Sequence, residues 1–89
     1  MLYVAFLPII DQELNAKERP AHLDYINRLY LDGKVVMAGP FTDKRGGLVI
    51  YKTDTMEEAE LLAKADPAVT SGARTLELRE WNPLELPLG

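Results

Sequence analysis

Four short apolar runs constrain this chain more than any other feature of its sequence. They are spaced so that a helical stretch fits between the first and second, and another between the third and fourth. The runs are Leu2 to Pro8, Val35 to Ala38, Leu48 to Tyr51 and Arg74 to Trp81. The first three carry the β-branched and aromatic residues that suit strands. The fourth alternates, with Leu76 and Leu78 directed one way and Thr75, Glu77, Arg79 and Trp81 the other. Gly33, Gly39-Pro40, Gly46-Gly47 and Asn82-Pro83 punctuate the runs at positions where turns are expected.

The intervening stretches read as helices. In the polar segment Asp11 to Arg19, Asn15-x-x-Glu18 marks a candidate capped turn, and Pro20 fits an early helix position. The main helix is expected from there to about Leu31, with Leu23, Ile26 and Tyr30 on one apolar stripe. Thr55-x-x-Glu58 is a capping box for a second helix whose apolar face is Met56, Ala59, Leu62 and Ala63. Asp66-Pro67 stops it and opens a short turn ending at Gly72. Strand, helix, strand, strand, helix, strand is the order of a ferredoxin-like βαββαβ α+β sandwich, in which two helices cover one face of a four-stranded antiparallel sheet. Residues 1–83 are expected to form this single domain, with 84–89 a Pro-containing C-terminal tail.

One face of that sheet is left over. The first strand offers Leu2, Val4 and Phe6 on one side and Tyr3, Ala5 and Leu7 on the other, and the second and third strands are apolar on both. Two helices cover one face only, so the other exposes an apolar patch larger than single soluble chains tolerate. A second copy packed sheet on sheet is the simplest cover, and a homodimer is expected.

Composition removes several function classes. The 89 residues include no cysteine, which leaves neither a disulfide framework nor a Cys-based zinc site. With 14 acidic and 10 basic residues the net charge is -4, and no basic run exceeds Lys44-Arg45. Nucleic-acid affinity comes mainly from neutralising phosphates, so nucleic acid is not expected as a partner. The apolar start, Met1 to Ile10, lacks a basic leader and is about half the length of a membrane helix. No membrane association and a cytoplasmic location are expected.

Few residues here can carry chemistry. His22 is the single histidine, so metal catalysis of the zinc type is not expected. Ser71 is the single serine and lies in no nucleophile-elbow pattern; Gly46-Gly47 lacks the Lys-Ser/Thr of a phosphate loop. Acid–base chemistry at His22 remains, the one side chain whose ordinary pKa lies near neutrality. No cofactor is expected. Arg19 and Arg45 are candidates for holding an anionic group. Tyr3 and Trp81, with Met37, are candidates for lining a substrate pocket between subunits. His22 also falls four residues before Ile26 and seven before Leu29, as an ordinary half-buried helix residue would.

Arg19-Pro20-Ala21-His22-Leu23, the Gly33 helix stop, Ala38-Gly39-Pro40, the Gly47 strand start and Asp66-Pro67 with Gly72 together resemble the YciI-like (YCII-related) family. The match spans residues 1 to about 83. The resemblance implies a ferredoxin-like subunit in a dimeric α+β barrel, with a site centred on a His–Asp pair at His22 and Asp66. The chain departs from many members in carrying Leu48 where they have Ser or another small polar residue. The resemblance also implies proton transfer on a small ring-shaped or carbonyl-bearing substrate, as in a related branch that removes chloride from a chlorinated hydroxyquinol. Asp66 before Pro67 equally fits a helix N-cap, so the residues alone leave both readings open.

Three functions follow as expectations: a cofactor-independent lyase, dehalogenase or isomerase with His22 as general base oriented by Asp66; a small-molecule-binding or accessory protein using the same pocket; and a cofactor-free monooxygenase.

Overall fold

A computed structural model describes residues 1–89. Its elements are β1 (Leu2–Pro8), α1 (Gln12–Leu31), β2 (Val35–Pro40), β3 (Gly46–Lys52), α2 (Met56–Lys64), α3 (Pro67–Thr70) and β4 (Glu77–Trp81). The strands form one sheet in the order β2-β3-β1-β4, with every neighbouring pair antiparallel. This is the expected ferredoxin-like α+β arrangement, with a short third helix after Asp66.

The β1 register explains the two faces. Tyr3 lies opposite Tyr51, and Ala5 opposite Val49 and Leu78. These side chains meet Ile26 and Leu29 of α1 and Ala59 and Ala63 of α2 in the core. The small alanines on α2 let that helix lie close to the sheet. On the other face, Val4 lies opposite Ile50 and Arg79, and Phe6 opposite Leu48 and Glu77.

Helix α1 differs from the expectation in two ways. It begins at Gln12, capped by Asp11, whose carboxylate accepts the Leu14 N–H at 3.0 Å, and it runs through Pro20 without a break. Ala16 and Pro20 both face solvent, so the carbonyl that proline leaves unbonded is open to water. Asn15 is therefore an interior helix residue and caps nothing. The buried stripe is His22, Ile26 and Leu29, while Leu23 and Tyr30 are about half exposed, at 48% and 57%. Leu23, Ile26 and Tyr30 also have helical spacing, but the 0, 4, 7 set that starts at His22 is the one that faces the sheet.

The β2–β3 turn brings Gly46 against β1. A Cβ at Gly46 would sit 2.7 Å from the Leu7 carbonyl oxygen, so only glycine fits without a shift of backbone. The tail after Asn82 lies wholly exposed and does not cover the sheet. No helix is long and apolar enough to cross a membrane.

Candidate active site

His22 sits mid-way along α1 on the inward stripe, 7% exposed. Asp66 follows the end of α2 and caps α3; it is fully buried, and its Oδ1 accepts the Ala68 N–H at 2.9 Å. Because α3 packs beside α1, both Asp66 oxygens come within 2.8 Å of His22 Nδ1. The cap and the imidazole partner are thus one carboxylate. A buried carboxylate needs such partners. Its bond to Nδ1–H assigns the ring proton and leaves Nε2 as the free nitrogen.

His22 lines a cavity of about 200 Å³ between α1 and the β2–β3 edge. Leu23, Ile26, Ala38 and Val49 give it an apolar wall; Arg19 and Arg74 give it positive charge. Arg19 stands three residues before His22, one turn away on the same side of α1. Arg74 is buried, and its Nε donates to Asn15 Oδ1 at 2.8 Å.

Two phenols flank the carboxylate. Tyr25 donates its hydroxyl to the Leu62 carbonyl at 2.8 Å, tying α1 to α2. Burial first, and then the Asp66 charge, push the Tyr25 phenol above its ordinary value, against a smaller opposing effect of Arg28. The same causes, burial, Asp66 and Tyr25 in that order, push Tyr51 far higher. Tyr51 is completely buried and its hydroxyl has no hydrogen-bond partner.

The other expected site residues lie elsewhere. Tyr3 is 1% exposed in the core between sheet and helices, not at a pocket between subunits. Its odd position in β1 places it with Ala5 and Leu7, and no ligand reaches it there. Arg45 lies in the exposed turn before β3 and borders neither His22 nor its cavity; its backbone N–H bonds Asp43 Oδ1 at 2.9 Å. Trp81 lies on the open sheet face with Val4, Phe6 and Ile50, in a shallow groove of about 430 Å³. Arg74 and Asn15 were not anticipated. A signal for Arg74 was present, since alternation carried back from Leu78 and Leu76 turns residue 74 inward.

The chain is thus an α+β sandwich whose buried imidazole–carboxylate pair lies beside a small, partly apolar cavity bordered by two arginines. Residues 1–82 match the YCII-related domain family, and the chain belongs to that family. It is 34% identical over 70 residues to the uncharacterised protein YjpA of Bacillus subtilis (strain 168), covering 79% of this chain and 82% of that protein. Among solved structures it resembles the 5-chloro-2-hydroxyhydroquinone dehydrochlorinase TftG of Burkholderia phenoliruptrix AC1100, in complex with 2,5-dihydroxybenzoquinone. The TM-score is 0.78 at 19% identity, covering 92% of this chain and 94% of that one. At that identity the likeness is one of fold.

Proposed function

We propose that this protein is a cofactor-independent enzyme that moves a proton on a small organic substrate, in lyase, dehalogenase or isomerase chemistry. The observation that carries the reading is the 2.8 Å contact of Nδ1 with Asp66 in a His22 ring that lines the cavity and whose Nε2 has no partner within the protein. Nε2 takes a proton from substrate carbon or oxygen as general base, and Asp66 holds the ring in the correct tautomer and stabilises the imidazolium that forms. A dehydrochlorinase of the same fold adds support from a different protein. Chloride loss after proton removal is one reaction such a base supports; returning the proton to a second carbon is another.

The protein works as a homodimer. Its accessible surface is 6043 Å², against about 5,200 Å² expected for a compact chain of this mass. Part of the excess is the exposed tail, and part is the sheet face of Val4, Phe6 and Trp81 that a second copy covers.

Turnover assays with small halogenated hydroxyquinols and carbonyl acids test the reading, with chloride release and solvent-deuterium incorporation as readouts. His22→Ala and Asp66→Asn each lower turnover by about 10²–10⁴-fold while the oligomeric state stays unchanged. A protein that binds these compounds, keeps its affinity in His22→Gln and turns over none of them is a binding or accessory protein instead.

A further inference from the structure

The acid–base reading leaves the most unusual charge in the site without a task. Arg74 is 7% exposed, and among its guanidinium nitrogens only Nε is bonded within the protein, to Asn15. The four ion pairs of the chain are His22–Asp66, Arg28–Asp24, Lys34–Glu58 and Lys64–Glu60; Arg74 has none. Its unbonded guanidinium nitrogens are not sealed from solvent, so they stay open to a counter-charge from outside the protein. Burial holds Arg74 below its ordinary value, an effect Arg19 adds to and Asp66 opposes.

The surroundings are organised around that group. A Cβ at Gly47 would lie 3.0 Å from the Gly39 carbonyl oxygen and 3.1 Å from Arg74 Nη1, so the guanidinium sits close against the β2–β3 backbone. Arg74 and Arg19 border both the His22 cavity and an adjoining groove of about 450 Å³ that also includes Lys44. No acidic residue lines either one, although the chain carries 14. The one carboxylate near the centre, Asp66, is bonded to His22 and the α3 backbone.

We propose that Arg74, with Arg19 at the mouth, is an anion subsite, so that the ligand of this pocket is a small organic anion with a planar oxyanion group. The unbonded guanidinium N–H groups receive the oxyanion bidentately, as carboxylates are received by arginine. The apolar wall of Ile26, Ala38 and Val49 takes the hydrocarbon part. At about 200 Å³ the cavity is smaller than the roughly 300–1,000 Å³ of typical ligand pockets, which limits the ligand to about one ring. This names the substrate class of the site described above and rests on that reading for the reacting group, whereas the anion contact does not require His22 to act as a base.

Binding of benzoate and of neutral benzamide to the purified full-length protein tests it, read by calorimetry and by the ring resonances of the single histidine. Benzoate binds saturably, shifts the His22 signals and weakens as salt rises; benzamide binds at least about tenfold more weakly, the loss of about one charge-assisted bond. Arg74→Lys, which keeps the charge but not the fork, and Asn15→Ala, which frees Nε, each weaken benzoate several-fold and leave benzamide unchanged. Asn15→Ala serves where Arg74→Lys does not fold. Equal binding of the two probes, no saturable benzoate binding, or benzoate affinity unchanged in both variants overturns the subsite. Benzoate binding through Arg74 in a protein without turnover removes the enzyme reading alone; turnover of neutral compounds only removes the anion subsite alone.

Discussion

At the residue scale, each polar group in the interior is judged by what it bonds. Asp66 satisfies the requirement completely, with His22 on one side and the Ala68 N–H on the other. Tyr51 does not, because its hydroxyl is buried without a partner. A buried polar group left unbonded costs about 1–3 kcal/mol, and removing it relieves that cost. Tyr51→Phe is therefore expected to leave stability unchanged or raise it by about 1 kcal/mol, measured as a shift of the urea midpoint. A clear loss of stability would mean that the hydroxyl has a partner in solution. Tyr25, whose hydroxyl is bonded to Leu62, is expected to respond in the opposite sense to the same change. Local pattern offers His22 as a candidate and Asp66 as a helix cap; their pairing across 44 residues is implied by the family resemblance alone. Tyr3 was misplaced because an aromatic residue on a two-faced apolar strand carries no mark of which face the helices take.

At the scale of elements, α1 is the least expected piece. Proline is poor inside a helix because it removes one bond and crowds the preceding turn. Its tolerance at Pro20 rests on the solvent-facing side of a helix whose inward stripe is packed against the sheet. Pro20→Ala is expected to raise stability by about 2–2.5 kcal/mol, the helix gain of about 3 less the roughly 0.4–1 that proline removes from the unfolded chain. Denaturant unfolding measures it, and a lowered midpoint would show that the proline shapes the turn carrying Arg19 and His22. A second element-level contact joins the start of β2 to α2, where Lys34 Nζ lies 2.7 Å from Glu58 Oε1. The hydrogen bond from Lys34 lowers the Glu58 carboxyl below its ordinary 4.5, against the effect of burial. The bond to Glu58 likewise raises Lys34 above 10.5. The Glu58 contribution is complete above the unfolded value and is lost as pH falls through the lowered folded one. The Lys34 contribution is complete below its unfolded value and is lost only as pH rises through the raised one. Melting temperature followed into acid should fall less steeply in Glu58→Gln than in the parent, and the difference should shrink in salt.

For the whole molecule, the question is what covers the second face of the sheet. The chain is extended, 47 × 26 × 20 Å, with a radius of gyration of 13.3 Å where about 12 Å is expected for its length. Its exposed tail does not fold back. Val4 lies at the centre of the open face, between Ile50 and Arg79. In sedimentation velocity the parent is expected at twice 10.0 kDa and Val4→Lys at 10.0 kDa, because an ammonium buried between two sheets has no partner. A parent that sediments at 10.0 kDa removes the dimer. Asp66 joins His22 as a candidate through the family resemblance, whereas the sequence by itself determined the element order, the sheet and its two apolar faces. These follow from local patterns, namely strand alternation, capping residues and turn glycines, that act over a few positions. Only the tertiary structure decided that Asp66 serves both α3 and His22, that Asn15 anchors Arg74, and that Arg45 stands away from the cavity. Such contacts depend on how α1 and α3 lie side by side over one end of the sheet. Packing sets that relation across dozens of residues, and no local pattern records it.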